Sequence, residues 1–489
     1  MALLMVCGVA CDAEPAAAPP VRPPPATSAA DASAPAPVAP LAGASDAGGA
    51  RDASLPLSPE ADATTAELGP SYHADVQPIL SAHCVNCHGP EGIAPFPLTS
   101  YAEVSARGWA VAQAVVSREM PPWPADRACR TYQGETRLSQ AQIDVIMRWV
   151  SQGMRAGEPL AAPAPGPRQA HVTLPRVDLH LQMDEPHVPA PPAGTIDEHF
   201  CFLIDWPERE TRYITGFEVL PGNRQIVHHF VGFIVAPETV PLLQLFDALT
   251  PGVYGTECGA GSGLPGTGPA DESAAGNMPI PGVNVFAVWV PGQGAVVYPR
   301  DSGIKVVPGS KILLNMHYNV ARGDFTPDQT GFNFQVESQV AREGTTMFVS
   351  DVAWTRGDNM LIPAGNSHVV HERKLPLGTF IQRPSRIHHA MLHMHQLGSA
   401  AGLRIERAAR ASECLLDIPH WDFDWQLNYQ LTEATDVNPE DSIDIRCTFD
   451  NSLTNQPLVN GRPREPRDVR WGENTYDEMC LGLLYITPR

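Results

Sequence analysis

The pattern of apolar and polar positions divides the chain into five stretches. Residues 12–70 are mostly Ala, Pro, Ser, Gly and Asp with almost no aromatics. Such a segment cannot bury enough apolar surface to offset its conformational entropy. With the leader before it, 1–70 is expected to be a tether, semi-extended through its prolines. From 71 to 157, apolar positions recur at three- and four-residue spacing. SYHADVQPILSAHC, YAEVSARGWAVAQAVVSREM and LSQAQIDVIMRWVSQGM predict three helical stretches. In the last, Leu138, Ile143, Ile146, Trp149 and Val150 fall on one face, Ser139 is the expected N-cap and Gly153 lies near the end. Residues 158–190 return to Pro and Ala and read as a linker. Beyond 191 the pattern becomes short β-rich runs, such as IVHHFVGFIV, KILLNMHYNV and CLGLLYIT, between Gly, Pro, Asn and Asp clusters. Many short strands without long helices predict β-sandwiches or jelly rolls. About 300 residues exceed one sandwich, so two are expected in tandem, 191–342 and 343–489.

Composition narrows the partners. In 489 residues, 33 Lys and Arg face 54 Asp and Glu, a net charge of −21. Nucleic acid calls for a basic surface, so it is excluded as a partner. Of 10 Cys, two lie in the leader and two in the CVNCH motif described below. The other six are scattered, which suits disulfides in an oxidising compartment. The start, MALLMVCGVACDAEP, resembles the tail of a secretory signal beginning upstream. Cys11, after the small residues of GVAC, is the lipidation candidate and Cys7 the runner-up; an ordinary signal with a chance Cys is the alternative. The expected location is therefore the periplasm or cell envelope, with a lipid anchor as the only membrane contact. No stretch has the ~18 apolar residues of a spanning helix.

CVNCH at 84–88 is the attachment motif of a c-type haem. Cys84 and Cys87 would take the thioether bonds, and His88 would be the proximal iron ligand. Half a zinc site or a reactive dithiol are the alternatives, but no second ligand pair of zinc-like spacing lies nearby. A helix, CxxCH and a closing amphipathic helix with an aromatic resemble the small single-haem cytochrome c fold. That resemblance implies a distal Met in a loop before the last helix. Met120, in REMPPWP, has that place; a core Met there, with Met147 or Met154 as ligand, is the alternative.

Ten of the 17 His lie between 228 and 420. His393 and His395 are two apart, so on a strand both rings share a face. Adjacent His228 and His229 would point to opposite faces of a regular strand and can share an ion only at a strand end or bulge. A lone His317 in an apolar strand is more often a core residue than a ligand. Imidazole suits copper, zinc, iron and nickel, whereas a thioether such as Met479 favours Cu(I).

In order, IVHHF, NMHYN, HMHQLG and DEMC resemble the copper type II ascorbate-dependent monooxygenases over about residues 191–489. The resemblance implies two copper-binding β-sandwiches and two separated coppers. It places one copper on His228, His229 and His317 and the other on His393, His395 and Met479, the latter being the catalytic site. It also implies disulfides Cys447–Cys480 and Cys201–Cys258, leaving Cys129 and Cys414 unassigned. The doublet His388–His389 fits no ligand motif and is expected to be structural or to support a ligand.

The implied activity is hydroxylation of a small-molecule C–H bond by O₂, with an external donor, an ascorbate-like reductant or a redox protein. A cytochrome on the same chain would raise the local donor concentration. The substrate end departs from the peptide-amidating members of the family. Met391 stands where they have a basic residue, and Leu481 and Leu483 stand in place of the Asn and Tyr that follow their equivalent of Cys480. Burying an ionised carboxylate without polar partners is costly, so a neutral or apolar substrate is expected. An exported haem and copper electron carrier without turnover is the alternative, with a tethered binding module behind it.

Overall fold

A computed structural model describes residues 69–489 apart from residue 86, 90–93, 95, 160–172, 193–195, 248–254, 259–281, 291–292, 321–324, 356–358, 460–461 and 473–474. The leader, with Cys7 and Cys11, lies outside the described residues. Among those described, no helix is long and apolar enough to cross a membrane.

A wide turn, Tyr72–Val76, runs into α1 (Gln77–His83). The second stretch is two helices, α2 (Tyr101–Ser105) and α3 (Gly108–Val116), rather than one. The break falls at Ala106 and Arg107, between the two helices, and Gly108 then opens α3 against Met154, whose Sδ would lie 2.3 Å from a Cβ there and would have to shift for a larger residue. α4 (Gln140–Ser151) starts at Ser139 with a reciprocal capping box to Gln142. Its Ile143, Ile146, Trp149 and Val150 meet Tyr72, Leu80, Val104 and Val115 in one core.

The chain then forms β1 (Leu179–Gln182), β2 (Asp197–Asp205), β3 (Arg212–Leu220), β4 (Val227–Val235), α5 (Val240–Asp247), β5 (Thr256–Glu257), β6 (Val283–Trp289), β7 (Val296–Val297), β8 (Ser302–Val306), β9 (Lys311–Asn319), β10 (Gly331–Glu337) and β11 (Arg342–Glu343). One sheet runs β1-β10-β3-β8-β11 with β7 on β3, and the other runs β5-β2-β9-β4-β6. Phe217, Phe332 and Phe334 of the first sheet pack on Phe202, Phe230 and Phe286 of the second. β1 falls within the stretch read as a linker: LHLQ pairs with β10 over four residues, although prolines on both sides hide its alternation. The second sheet is buried on its other face too, by a cluster of Phe233, Val235, Leu243 of α5 and Leu313. This burial explains the nearly unbroken apolar runs of β4 and β9.

The remainder holds β12 (Thr345–Val349), α6 (Val352–Thr355), β13 (Val369–Pro376), β14 (Ser385–His393), β15 (Gly398–Glu406), β16 (Glu413–Ile418), β17 (Tyr429–Val437), β18 (Ser442–Phe449), β19 (Leu458–Val459), β20 (Arg462–Pro463) and β21 (Leu481–Pro488). Sheets β12-β21-β14-β17 and β13-β18-β15-β16 face each other across Val349, Leu392 and Leu484 against Leu403, Ile445 and Leu416. The two β regions meet through aromatic contacts. Tyr485 of β21 stacks on Tyr298 at 4.2 Å, and its hydroxyl bonds Ser302 Oγ at 3.1 Å.

Three disulfides join Cys201–Cys258, Cys447–Cys480 and Cys129–Cys414. The last, left without partners by the sequence, staples the stretch after Met120 to β16. Around it the Asp126 N–H donates to Asp417 O, and the Tyr132 hydroxyl donates to Leu415 O. Ala125 and Tyr132 lie in the second sandwich core. The helical unit is therefore fastened to the second sandwich by covalent and packed contacts.

Candidate metal centre and adjoining cavities

His228 and His229 open β4, and His317 lies opposite on β9. The register slips between Val227 and His229. That bulge turns two adjacent side chains toward one point, which a regular strand cannot do. One ring nitrogen from each of the three His lies within 4.8 Å of the others. The Nδ1 of His229 is 3.2 Å from that of His228 and 3.3 Å from that of His317. The far nitrogen of His317, Nε2, bonds the buried Asp197 carboxylate at 2.9 Å. A carboxylate on the back nitrogen is the arrangement that orients a metal-ligating imidazole. Burial holds the pKa of His229 and His317 well below the usual histidine range, and neighbouring imidazoles add to it. Burial lowers His228 as well. All three are thus kept as neutral imidazoles, the ligating form.

The second set lies where β14 ends. His393 is the last strand residue, and His395 follows beyond it. The rings are 5.1 Å apart and nearly perpendicular. His393 Nδ1 bonds Gln426 Oε1, and His395 Nδ1 bonds the Asp477 carbonyl at 3.1 Å. Both Nε2 atoms are left to face a ligand. Burial brings His393 down to about 4 and His395 well below its usual range. Glu478 is fully buried and accepts the backbone N–H groups of His395 at 2.9 Å and Leu397 at 2.6 Å, clamping the turn after the strand. Burial raises its own pKa to about 8. Met479 lines a cavity of about 60 Å³ together with His393 and His395. The rest of that wall is mostly apolar, including Val231, Val288, Phe348, Met391, Leu481 and Leu483, with Gln426 as a polar member and no carboxylate or cation among the described lining residues. Cross-strand register explains it: Leu483 lies opposite both Phe348 and Met391, and Leu481 lies opposite His393.

The two sets are nearer than the resemblance implies. His229 and His393 have ring centroids 5.8 Å apart, and His229 lines the small cavity. The cause is the docking of β6 against β12, beside which Leu483 of β21 joins the apolar cluster of the first sandwich. Phe423, in the loop after β16, stacks on His228 at 5.0 Å and 23° and meets His395 edge-on at 6.1 Å.

CVNCH lies at the end of α1. Cys84 and Cys87 are not disulfide-bonded. Burial, with Cys87 beside it, pushes the Cys84 thiol up to about 12, the opposite of a reactive dithiol. His88 Nδ1 donates to Phe96 O at 3.0 Å, which leaves Nε2 for a metal. Cys84, Cys87, His88 and Met120 line one cavity of about 1140 Å³. Ligand sites run to roughly 300–1,000 Å³, so a haem has room. Met147 and Met154 pack instead against the helical core. The far wall comes from both sandwiches and includes Arg224, His228, Phe423 and Trp425. The residues present fit a covalently held haem, and the histidine sets fit copper.

Residues 353–487 match the copper type II ascorbate-dependent monooxygenase C-terminal domain. That span holds His393, His395 and Met479. Three relatives extend the likeness. MOXD1 homolog 1 of Drosophila melanogaster is 24% identical over 60% of this chain and 40% of its own. Dopamine beta-hydroxylase of Homo sapiens is 23% identical over 65% and 47%. Tyramine beta-hydroxylase of Caenorhabditis briggsae is 20% identical over 64% and 49%. The chain thus spans less than half the length of these curated relatives. The matched family is one of copper-dependent oxidoreductases.

Sequence reasoning missed several residues that build this centre. Asp197 and Gln426 orient ligands but lie 120 and 33 residues from their partners. His199 pairs with His317 across β2 and β9 and stacks on it at 4.2 Å, with neither ring nitrogen hydrogen-bonded. Its place in a two-residue alternation with Cys201 was the only local signal. His388 and His389 have other contacts: His388 Nε2 bonds Thr487 Oγ1 at 2.9 Å, and His389 packs on Tyr298 and Tyr485.

Proposed function

We propose that this protein is a two-copper monooxygenase that hydroxylates a small neutral or apolar substrate with O₂ and draws electrons from a c-type haem on the same chain. One observation carries the reading: a single cluster of five His and Met479 lies between a small apolar cavity and a large one that contains CVNCH. Copper bound there would supply one-electron redox chemistry and an O₂ site, with Met479 as a weak, soft ligand favouring Cu(I). Haem in the large cavity would supply electrons. His88 and Met120 are the residues that would hold its iron.

The chain's own residues set the rest. Hydroxylation consumes two electrons and two protons, with the second oxygen atom leaving as water. His228, His229 and His317 would hold one metal, and His393, His395 and Met479 would hold the other beside the substrate. Val231, Val288, Met391 and Leu483 exclude water from the reacting bond. The volume of about 60 Å³ admits an alkyl group or chain end. The ammonium group of dopamine or tyramine, named for the relatives, would find no carboxylate on this wall. Three disulfides support an oxidising compartment, in keeping with an exported, envelope-held protein.

The test is reductant-dependent O₂ uptake by copper-loaded protein, the apo form and His393→Ala, in the presence of neutral alkyl and aromatic substrates. Uptake coupled to hydroxylated product only in the loaded native protein supports the reading. Equal uptake in all three would leave an electron carrier. Anaerobic stopped-flow mixing of haem-reduced protein follows the internal feed; a haem that never re-oxidises at Cu(II)-loaded centres would remove that half.

A further inference from the structure

The loop Trp421–Gln426 touches His228, His393 and His395, and so members of both histidine sets, while Phe423–Gln426 stand in the wall of the large cavity. The Trp421 indole N–H donates to His395 O at 3.1 Å. Phe423 lies flat on His228 and edge-on to His395. Gln426 bonds His393 Nδ1, and its own Nε2 donates to Phe423 O at 2.9 Å, tying the two contacts together. Phe423, Asp424, Trp425 and Gln426 all face the cavity that holds Cys84, Cys87 and His88. The loop's base is β16, where the Cys129–Cys414 disulfide and the Asp126–Asp417 bond fasten the segment that follows Met120.

We infer that this loop couples the haem side to both histidine sets, with Phe423 as the positioning residue that fixes the His228 ring against the cavity. The inference rests on the proposed haem and copper sites. Its redox step is a single transfer: ferrous haem becomes ferric as Cu(II) on His228, His229 and His317 becomes Cu(I). An aromatic face pressed on His228 holds that ring in one orientation and keeps water from the gap, so the route from cavity to ligand stays short and dry. Leucine at 423 keeps the apolar volume and loses the face.

The experiment compares the native protein with Phe423→Leu and Phe423→Trp, each loaded with haem and two coppers and checked for both. Anaerobic stopped-flow absorbance follows haem re-oxidation, and EPR reads the Cu(II) spectrum. Phe423→Leu is expected to slow internal transfer roughly tenfold, the rate equivalent of a stacking contact, and to alter the EPR signal of the three-His copper. Phe423→Trp restores both. Native protein that binds both cofactors without internal transfer would refute the electron feed itself. Native transfer with an unchanged Phe423→Leu rate and spectrum would overturn the role of Phe423 alone. A loss in Phe423→Leu that Trp does not restore would also overturn it, since the aromatic face would then not be what matters.

Discussion

Two His-His doublets lie at β-bulges among the described residues, and one of them belongs to the candidate metal centre. His228–His229 sits at the slip between Val227 and His229, and His388–His389 at the slip between Ile387 and His389. Both pairs are neutral by burial, His388 at about 4 and His389 at about 3. They differ in what stands opposite. The first doublet meets His317, whose far nitrogen is held by Asp197. The second meets Thr487, Tyr298 and Tyr485. A bulge makes convergence of neighbours possible; a third imidazole on the next strand turns that into a ligand set.

The sharpest way to break this contrast is to truncate each doublet. His229→Ala should lose one of two copper equivalents by metal analysis, along with reductant-dependent O₂ uptake. His389→Ala should keep both coppers. Copper loss from His389→Ala, or full loading of His229→Ala, would end the distinction. Next come the residues behind the ligands. Asp197→Asn and Gln426→Leu should each weaken copper binding about 10–100-fold, in the three-His and two-His–Met sets respectively, as read by competition with a chelator.

Acid separates the doublets more gently. Each of these His has a folded pKa below its unfolded value of about 6.5. The unfolded chain therefore takes protons first as pH falls. Stability present above pH 6.5 should drain away toward pH 4, the folded value of His393 and His388. Thermal unfolding of copper-free protein should show this drop. Copper should offset it by occupying the ligand set near neutrality, while the contribution of His388–His389 persists in the loaded protein. A flat profile between pH 7 and 5 without copper would contradict the buried neutral imidazoles. The smallest expected effect concerns the staple. Replacing Cys129 and Cys414 with Ser should lower stability by about 2–4 kcal/mol, with copper content unchanged.

Much of the centre was legible because its signals are local. CVNCH is five residues long, the capped helix at 139–151 carries its own period, and the ligand motifs occur in a recognisable order. The β-rich pattern announced sheets because apolar alternation is a property of each strand. The sequence also limited how His228 and His229 could share an ion, since a regular strand sends neighbours to opposite faces. Tertiary structure decided everything that needed distant segments in one place. The Cys129–Cys414 pairing closes a separation of 285 residues. Gln426 reaches His393 from an irregular loop that has no periodic signature. The 5.8 Å between His229 and His393 follows from the packing of one sandwich on the other, where β6 meets β12 and Leu483 joins the apolar cluster of the first sandwich. Residue types and local period thus determined which side chains can bind metal; burial of long-range surfaces decided which of them meet.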